Sequence, residues 1–334
     1  MQTASFRITF NTPAFLGNAE QSGQWRTPPI KALLRQFWRM AYAANRNFNV
    51  DVARMRHEEG LLFGHAWLEN DTFEHNGRQE KTSARKSQMR IRLSEWSDGK
   101  LKVVPAIGKV SMGKNQIPAA LYSGYGPIEK GPRLKGNAAI QPGESAEFRL
   151  AFPDGQLVEQ AIALMHQFGT LGGRSRNGWG SFALEGDLQE VAVPLQDWKA
   201  AMQFDWPHAI GNDEKGSLIW QSESVKKWED AMRLLAQTRA DLRRAVPDRL
   251  MLAYPDTKGT MPGWGKDDRV PNSVRFKVRR VDGGFIAVVF HMSCRPADEL
   301  WNKLRPQQQQ GFITCFTSAH AFLDRQNTFT RSGK

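Results

Sequence analysis

Five glycines fall within the twelve residues Gly169-Thr170-Leu171-Gly172-Gly173-Arg174-Ser175-Arg176-Asn177-Gly178-Trp179-Gly180. So many glycines exclude the interior of a helix or strand. They predict a loop whose backbone takes positive φ and approaches another molecule closely. The apolar segment Leu157 to Phe168 leads into the loop as a helix, and Ser181-Phe182-Ala183-Leu184 leaves it as a strand. Arg174 and Arg176 supply guanidinium forks that suit phosphate oxygens, while Trp179 could stack on a base or pack under the loop. A long glycine cap followed by an ordinary surface turn explains the same residues without a ligand.

The chain has 334 residues, 40% of them hydrophobic, which is large for one core and predicts two domains. No apolar run reaches membrane-spanning length, and the first residues lack the order of a signal peptide. Cys294 and Cys315 are too few for a disulfide framework or a cysteine-based zinc site, so a cytoplasmic location is expected. A formal charge of +12 favours a polyanionic partner. From Arg78 to Lys114, ten Lys and Arg stand against Glu80, Glu95 and Asp98, with few large aliphatics. That composition predicts a basic arm inserted over about residues 70–145; a solvated hairpin without a ligand is the alternative.

Phe6-Arg7-Ile8-Thr9-Phe10 alternates as a half-buried strand does. After a loop over 11–26, Thr27-Pro28-Pro29 opens a helix, with Thr27 suited to the N-cap and proline tolerated in the first turn. Ile30, Leu33, Leu34, Phe37, Trp38, Ala41 and Tyr42 form its apolar face. Lys31, Arg35 and Arg39 recur every four residues on another face, without acidic partners in the same helix. A strand around Phe148 to Phe152 and the glycine loop complete a first domain ending near Gly186. The second half offers a helix from Ser224 to Arg244 and strands at Val274–Val278 and Gly284–Phe290, joined by the hairpin signal Asp282-Gly283. Gln307 to Gln310 is expected to loop. The succession in the first domain, 1–187, predicts an α+β ferredoxin-like (RRM-like) fold, and residues 188–334 make a second domain.

Gly108 to Asn115 nearly spells a P-loop, but Asn115 stands where a Ser or Thr hydroxyl should meet magnesium, and Pro118 denies it a long helix. The seven histidines form no His-x-x-x-His pair, so no metal or cofactor is expected. His65 and His75 flank Glu69, Asp71 and Glu74, a set that could support metal-independent cleavage of RNA. His166 on the helix before the loop suits packing or capping better than catalysis.

Asn11-Thr12-Pro13-Ala14-Phe15-Leu16-Gly17, then Arg26-Thr27-Pro28-Pro29-Ile30-Lys31-Ala32-Leu33-Leu34-Arg35-Gln36-Phe37-Trp38-Arg39, together with the glycine loop, resemble the RAMP proteins of CRISPR systems. The pattern is similar to subunit one of type III-B (Cmr) effector complexes, and Leu62-Phe63-Gly64 also fits. Leu252-Ala253-Tyr254-Pro255 and Val274–Val278 resemble that subunit's second RAMP-like domain more loosely. Ala32 stands where the family usually has glycine. The loop over 11–26 lacks the aspartate carried by cleaving members.

The resemblance implies two ferredoxin-like RAMP domains and a non-catalytic RNA-binding subunit of an antiviral CRISPR ribonucleoprotein that holds the 3′ part of the guide and helps receive target RNA. Guide RNA, target RNA and other complex subunits are the expected partners. Guide processing by a RAMP endoribonuclease is the alternative, and an assembly scaffold meeting acidic proteins is a third. The expected RNA contacts are Arg26, Lys31, Arg35 and Arg39 along a cleft, and Arg85, Lys86, Arg90 and Arg92 on a thumb. The loop residues Gly172, Gly173, Arg174, Ser175, Arg176, Asn177 and Trp179 complete the set.

Overall fold

A computed structural model describes residues 1–66, 72–75, 77–81, 84–131, 133–153, 156–256 and 259–332. In the first half, strand β1 (Gln2–Phe10) leads to helices α1 (Thr27–Ala44) and α2 (Val52–Phe63). Strands β2 (Arg90–Leu93) and β3 (Ser145–Phe152), helix α3 (Gln156–Phe168) and strand β4 (Phe182–Glu185) follow. The sheet runs β4-β1-β3-β2 and every neighbouring pair is antiparallel. Its register aligns Phe6 with Phe148 and Phe10 with Phe182. Alternation turns Phe6, Ile8, Phe10, Phe148, Leu150 and Leu184 toward α1 and α3, where all are buried, and leaves the opposite face to solvent.

The second half is built from β5 (Ile219–Gln221), α4 (Trp228–Ala245), β6 (Val274–Val281), β7 (Gly284–His291), α5 (Pro306–Asp324) and β8 (Thr330–Arg331). This sheet runs β6-β7-β5-β8, again antiparallel throughout. In both sheets the first strand in sequence lies between the last and the third, and the second takes the outer edge. Gln307 to Gln310 lie in the first turns of α5, not in a loop. Pro306 opens that helix and Gln308 Oε1 accepts from the Arg305 N–H at 2.9 Å, so the polar tract is held by helix-start chemistry. At the start of α1, Arg26 takes the cap position without a side-chain cap bond, and Thr27 is already helical.

The segment expected to protrude as one arm is divided. Arg90-Ile91-Arg92-Leu93 is the edge strand of the first sheet, with Leu93 buried and both arginines exposed. The near P-loop is a hairpin, Lys109–Met112 against Asn115–Pro118. It leans on α4, where Gln237 Oε1 accepts from the Ser111 N–H at 2.8 Å. Val104, Ile107 and Val110 are buried in the second half's core, so the few aliphatics of this stretch are enough to fix it.

The halves meet where β6 lies along the glycine loop. Phe276 N–H donates to the Arg176 carbonyl at 3.1 Å, Val278 N–H to Ser181 Oγ at 2.9 Å, and Asn11 Nδ2 to the Val278 carbonyl at 3.2 Å. Lys277, with no exposed surface, sends its amine to the carbonyls of His166 (2.6 Å) and Gly169 (2.9 Å) at the C-terminal end of α3. These carbonyls lack intrahelical donors and carry the negative end of the helix dipole, which a cation offsets. His166 Nδ1 in turn accepts from Leu184 N–H at 3.0 Å. Burial, with the nearby Lys277 and Arg279 charges, lowers its pKa to about 4 and keeps it a neutral packing group.

Candidate nucleic-acid interface

Close approach within the chain itself accounts for the loop glycines. Gly172 and Gly180 have φ of 93° and 66°. A Cβ on Gly172 would stand 2.7 Å from the Phe15 carbonyl oxygen, and one on Gly180 1.8 Å from that of Leu171. Gly173 N–H is likewise spent on the Phe15 carbonyl, at 2.9 Å. Gly172 and Gly173 therefore set the loop against the β1–α1 connection and do not offer their backbone to a ligand.

Trp179 and Asn177 also differ from expectation. Trp179 is fully buried, its ring centroid 5.3 Å from that of Phe15 and its Nε1 donating to Ser123 Oγ at 3.2 Å, so no base can stack on it. Asn177 is buried as well, donating from Nδ2 to the Ser123 carbonyl at 2.8 Å. Both residues anchor the loop to the short helix Ala119–Gly124. Ser175 is half-buried, and its carbonyl closes the turn by accepting from Gly178 N–H at 3.1 Å.

The two arginines carry the loop's polar surface. Arg174 is exposed and held at φ 56°, a left-handed conformation that costs a side-chain-bearing residue about 1 kcal/mol. Its Nε donates to the Tyr125 carbonyl at 2.5 Å, and no carboxylate pairs with it among the described residues. The Tyr125 ring, 56% exposed, is the aromatic group presented beside the loop. A concavity of about 290 Å³ opens next to it, lined by Phe15, Gly17, Gln21, Pro127, Lys135 and Gly136. Arg26 reaches its rim, donating from Nη1 to the Gly17 carbonyl at 2.6 Å. Arg176 is half-buried on the β6 side of the loop, next to Arg275.

The α1 stripe is not a free cationic wall. Glu59 of α2, 2% exposed, accepts from Arg35 Nε at 3.0 Å, Arg39 Nε at 2.9 Å and Arg39 Nη2 at 2.8 Å. Both arginines are about one-third exposed, and neither lines the concavity beside the loop. Their acidic partner lies on another helix, which is why a search within α1 does not find it. Lys31 is half-buried, and burial together with the Arg35 charge lowers its pKa.

Arg90 and Arg92 belong to a third patch. They project from β2 on the sheet face opposite α1 and α3, beside Arg149 of β3, and Arg92 pairs in register with Arg149. Thr3, Ser5 and these arginines border a shallow groove of about 390 Å³. Arg149 is bound to Glu147, with a 2.5 Å separation. Arg85 and Lys86 are exposed on the segment whose Arg85 backbone pairs with His65. The expected contacts thus form a loop patch, an ion-paired helix patch and a sheet-face patch, and no single thumb joins them.

Sequence reasoning missed Tyr125, Lys135, Glu59 and Arg275. Gly124-Tyr125-Gly126-Pro127 marks a turn, where an aromatic side chain tends to stay at the surface. Arg275 left no such sign, because alternation along β6 suggests that its basic face meets water. Of the alternative nuclease set, Glu69 and Asp71 lie outside the described residues, and only the backbone of Glu74 and His75 is described. Among the described residues no three His, Cys, Asp or Glu side chains gather to hold a metal ion. No described helix is long and apolar enough to cross a membrane.

No protein-family model matches the chain, and no curated protein matches it. Solved structures do. Cmr1 from Pyrococcus furiosus, in an apo form, is 15% identical, with 95% of this chain and 97% of that chain covered and a TM-score of 0.47. A chain of the type III-B Cmr-beta complex bound to cognate target RNA is 8% identical, with 96% and 98% covered and a TM-score of 0.46. A chain of a type IV-B CRISPR complex is 11% identical, with 58% and 94% covered and a TM-score of 0.30.

Proposed function

We propose that this chain is a non-catalytic RNA-binding subunit of a type III-B CRISPR ribonucleoprotein, holding the 3′ part of the guide and assisting capture of target RNA. Its two βαββαβ halves, 1–187 and 188–334, would be the ferredoxin-like RAMP domains, since the strand order repeats between them. One observation carries the reading: the glycine loop, wedged between the sheets, presents Arg174 and Arg176 with no carboxylate paired to either among the described residues. A surface arginine usually finds an acid or is left to water. Arg174 beside an exposed Tyr125 and the concavity that Arg26 and Lys135 border, with Arg176 on the β6 side of the same rigid turn, suits a sugar–phosphate strand with an unstacked base. The RNA contacts proposed are Arg26, Arg174 and Arg176, with Tyr125 in the stacking role that the sequence suggests for Trp179. Lys31, Arg85, Lys86, Arg90 and Arg92 act as longer-range basic surface. Guide–target pairing would supply sequence specificity, and this protein the backbone grip.

Affinity for a single-stranded RNA of about 20 nucleotides, measured against salt, tests this. The expected slope of log K against log salt is roughly −0.7 for each phosphate neutralised, so three such phosphates give about −2. A flat salt response would contradict RNA binding through phosphates. Tyr125→Ala should weaken binding by roughly 1–3 kcal/mol if its ring carries a base.

A further inference from the structure

Arg275 is the most deeply buried arginine near the loop, at 8% exposure, and its environment is unusual for a buried cation. Its side-chain partner is Gln36 of α1, whose amide, turned so that oxygen faces β6, accepts from Nη1 at 2.7 Å and Nη2 at 3.3 Å. Its Nε is buried with no hydrogen-bond partner. The charge beside it is another cation: Arg176, half-buried on the glycine loop, makes no side-chain hydrogen bond or ion pair among the described residues. Cys294 completes the surroundings, but burial raises its thiol to about 11, so it is neutral and cannot serve as a counter-ion. Asp205, whose charge reaches Cys294, is exposed and ion-pairs with neither arginine. Burial and the Arg176 charge lower the Arg275 guanidinium to about 9.

A desolvated charge is tolerated when it is paired and fully hydrogen-bonded, and removing a partner leaves the remaining charge strongly unfavourable. Here one neutral amide serves Arg275 alone, and a second desolvated cation beside it has no partner among the described residues. We propose that Arg275 and Arg176, together with Gln36, form a binding site for a phosphate oxyanion at the junction of the two halves. The planar guanidinium fork matches tetrahedral oxyanion geometry, and the free Nε–H of Arg275 provides a donor already turned inward. The site joins three elements, α1, the glycine loop and β6, so its occupant would tie the halves together.

A phosphodiester of a bound RNA strand and free inorganic phosphate share this chemistry, and only the first rests on the function proposed above. Thermal unfolding of the full chain in inorganic phosphate against chloride, at equal ionic strength, reads the site directly. Affinity for single-stranded RNA reads the strand. The wild-type chain should melt roughly 2–4 °C higher in near-saturating phosphate. Arg275→Gln and Arg176→Gln should each abolish that difference, weaken RNA binding about tenfold, or do both.

Loss of the phosphate response with unchanged RNA affinity assigns the site to free phosphate. Loss of RNA affinity in Arg275→Gln, a residue outside the RNA contacts proposed above, assigns it to the strand. A phosphate response that depends on Arg275, in a chain that binds no RNA, keeps the site and removes the proposed function. Phosphate response and RNA affinity both unaltered in the variants would overturn the proposal. A wild-type chain that responds to neither ligand would do the same. Arg176 is half-buried, so the phosphate response of Arg176→Gln decides the matter if Arg275→Gln does not fold. A purely structural role would lower melting equally in both salts.

Discussion

Glu59 holds two arginines with one carboxylate, and the cation left over is what α1 contributes to the protein's basic surface. Because the acid is buried and the arginines are one-third exposed, losing it falls between an exposed and a buried pair. Glu59→Gln should destabilise the fold by roughly 2–4 kcal/mol in chemical denaturation; a loss below about 0.5 kcal/mol would mean that α1 and α2 do not depend on it. Trp179 makes a second test, since its ring is core and its Nε1 is bonded. Trp179→Ala should cost about 3–5 kcal/mol. Trp179→Phe should keep RNA affinity at the wild-type level, whereas a base-stacking role would lose it. The arginines of the loop were legible because glycines frame them. Glu59 and Arg275 were not, because their partners Arg39 and Gln36 lie 20 and 239 residues away in sequence. Pairings across such distances leave no local pattern.

At the scale of elements, alternation and apolar periodicity placed β1, α1, α3, β6 and β7 to within a few residues. Their failures have specific causes. Arg90 to Leu93 reads as part of a basic run, yet its two-residue alternation is that of an edge strand, where charge discourages pairing with another chain. The glutamines after Pro306 look like a polar loop only if the helix start is overlooked. The sheet-face patch can be tested apart from the loop. Arg90 and Arg92 are exposed and make no ion pair among the described residues. Replacing both with alanine should leave the melting temperature within about 1 °C. It should reduce the RNA salt slope by roughly 0.7 for each phosphate that is no longer neutralised. An unchanged slope would remove this face from the interface.

At the scale of the whole molecule, two sheets with one strand order are joined by a loop that packs inward on glycines, turns Arg174 to the surface and sets Arg176 against β6. The composition suggested two units, but not that β6 would lay a basic face against the first half. The histidines packed within the two halves carry a pH signature. His166 and His320 are held neutral with pKa lowered to about 4, in both cases mainly by burial; around His320, Asp213 and Asp324 pull the other way. An unfolded histidine takes its proton near pH 6.5. Between those values the unfolded chain binds more protons, so stability is full above pH 6.5 and falls as pH drops toward 4. Denaturation at pH 7 and pH 5 should therefore differ in that direction, and His320→Gln should narrow the gap; equal stability at the two values would contradict it. That the glycine loop grips a ribose–phosphate strand through its two arginines is the proposal on which the function rests. Its most direct test is RNA affinity and melting temperature measured side by side for the chain with both Arg174 and Arg176 replaced by alanine. We predict at least a tenfold loss of affinity with melting lowered by no more than about 3 °C, whereas wild-type affinity in that variant would contradict the account.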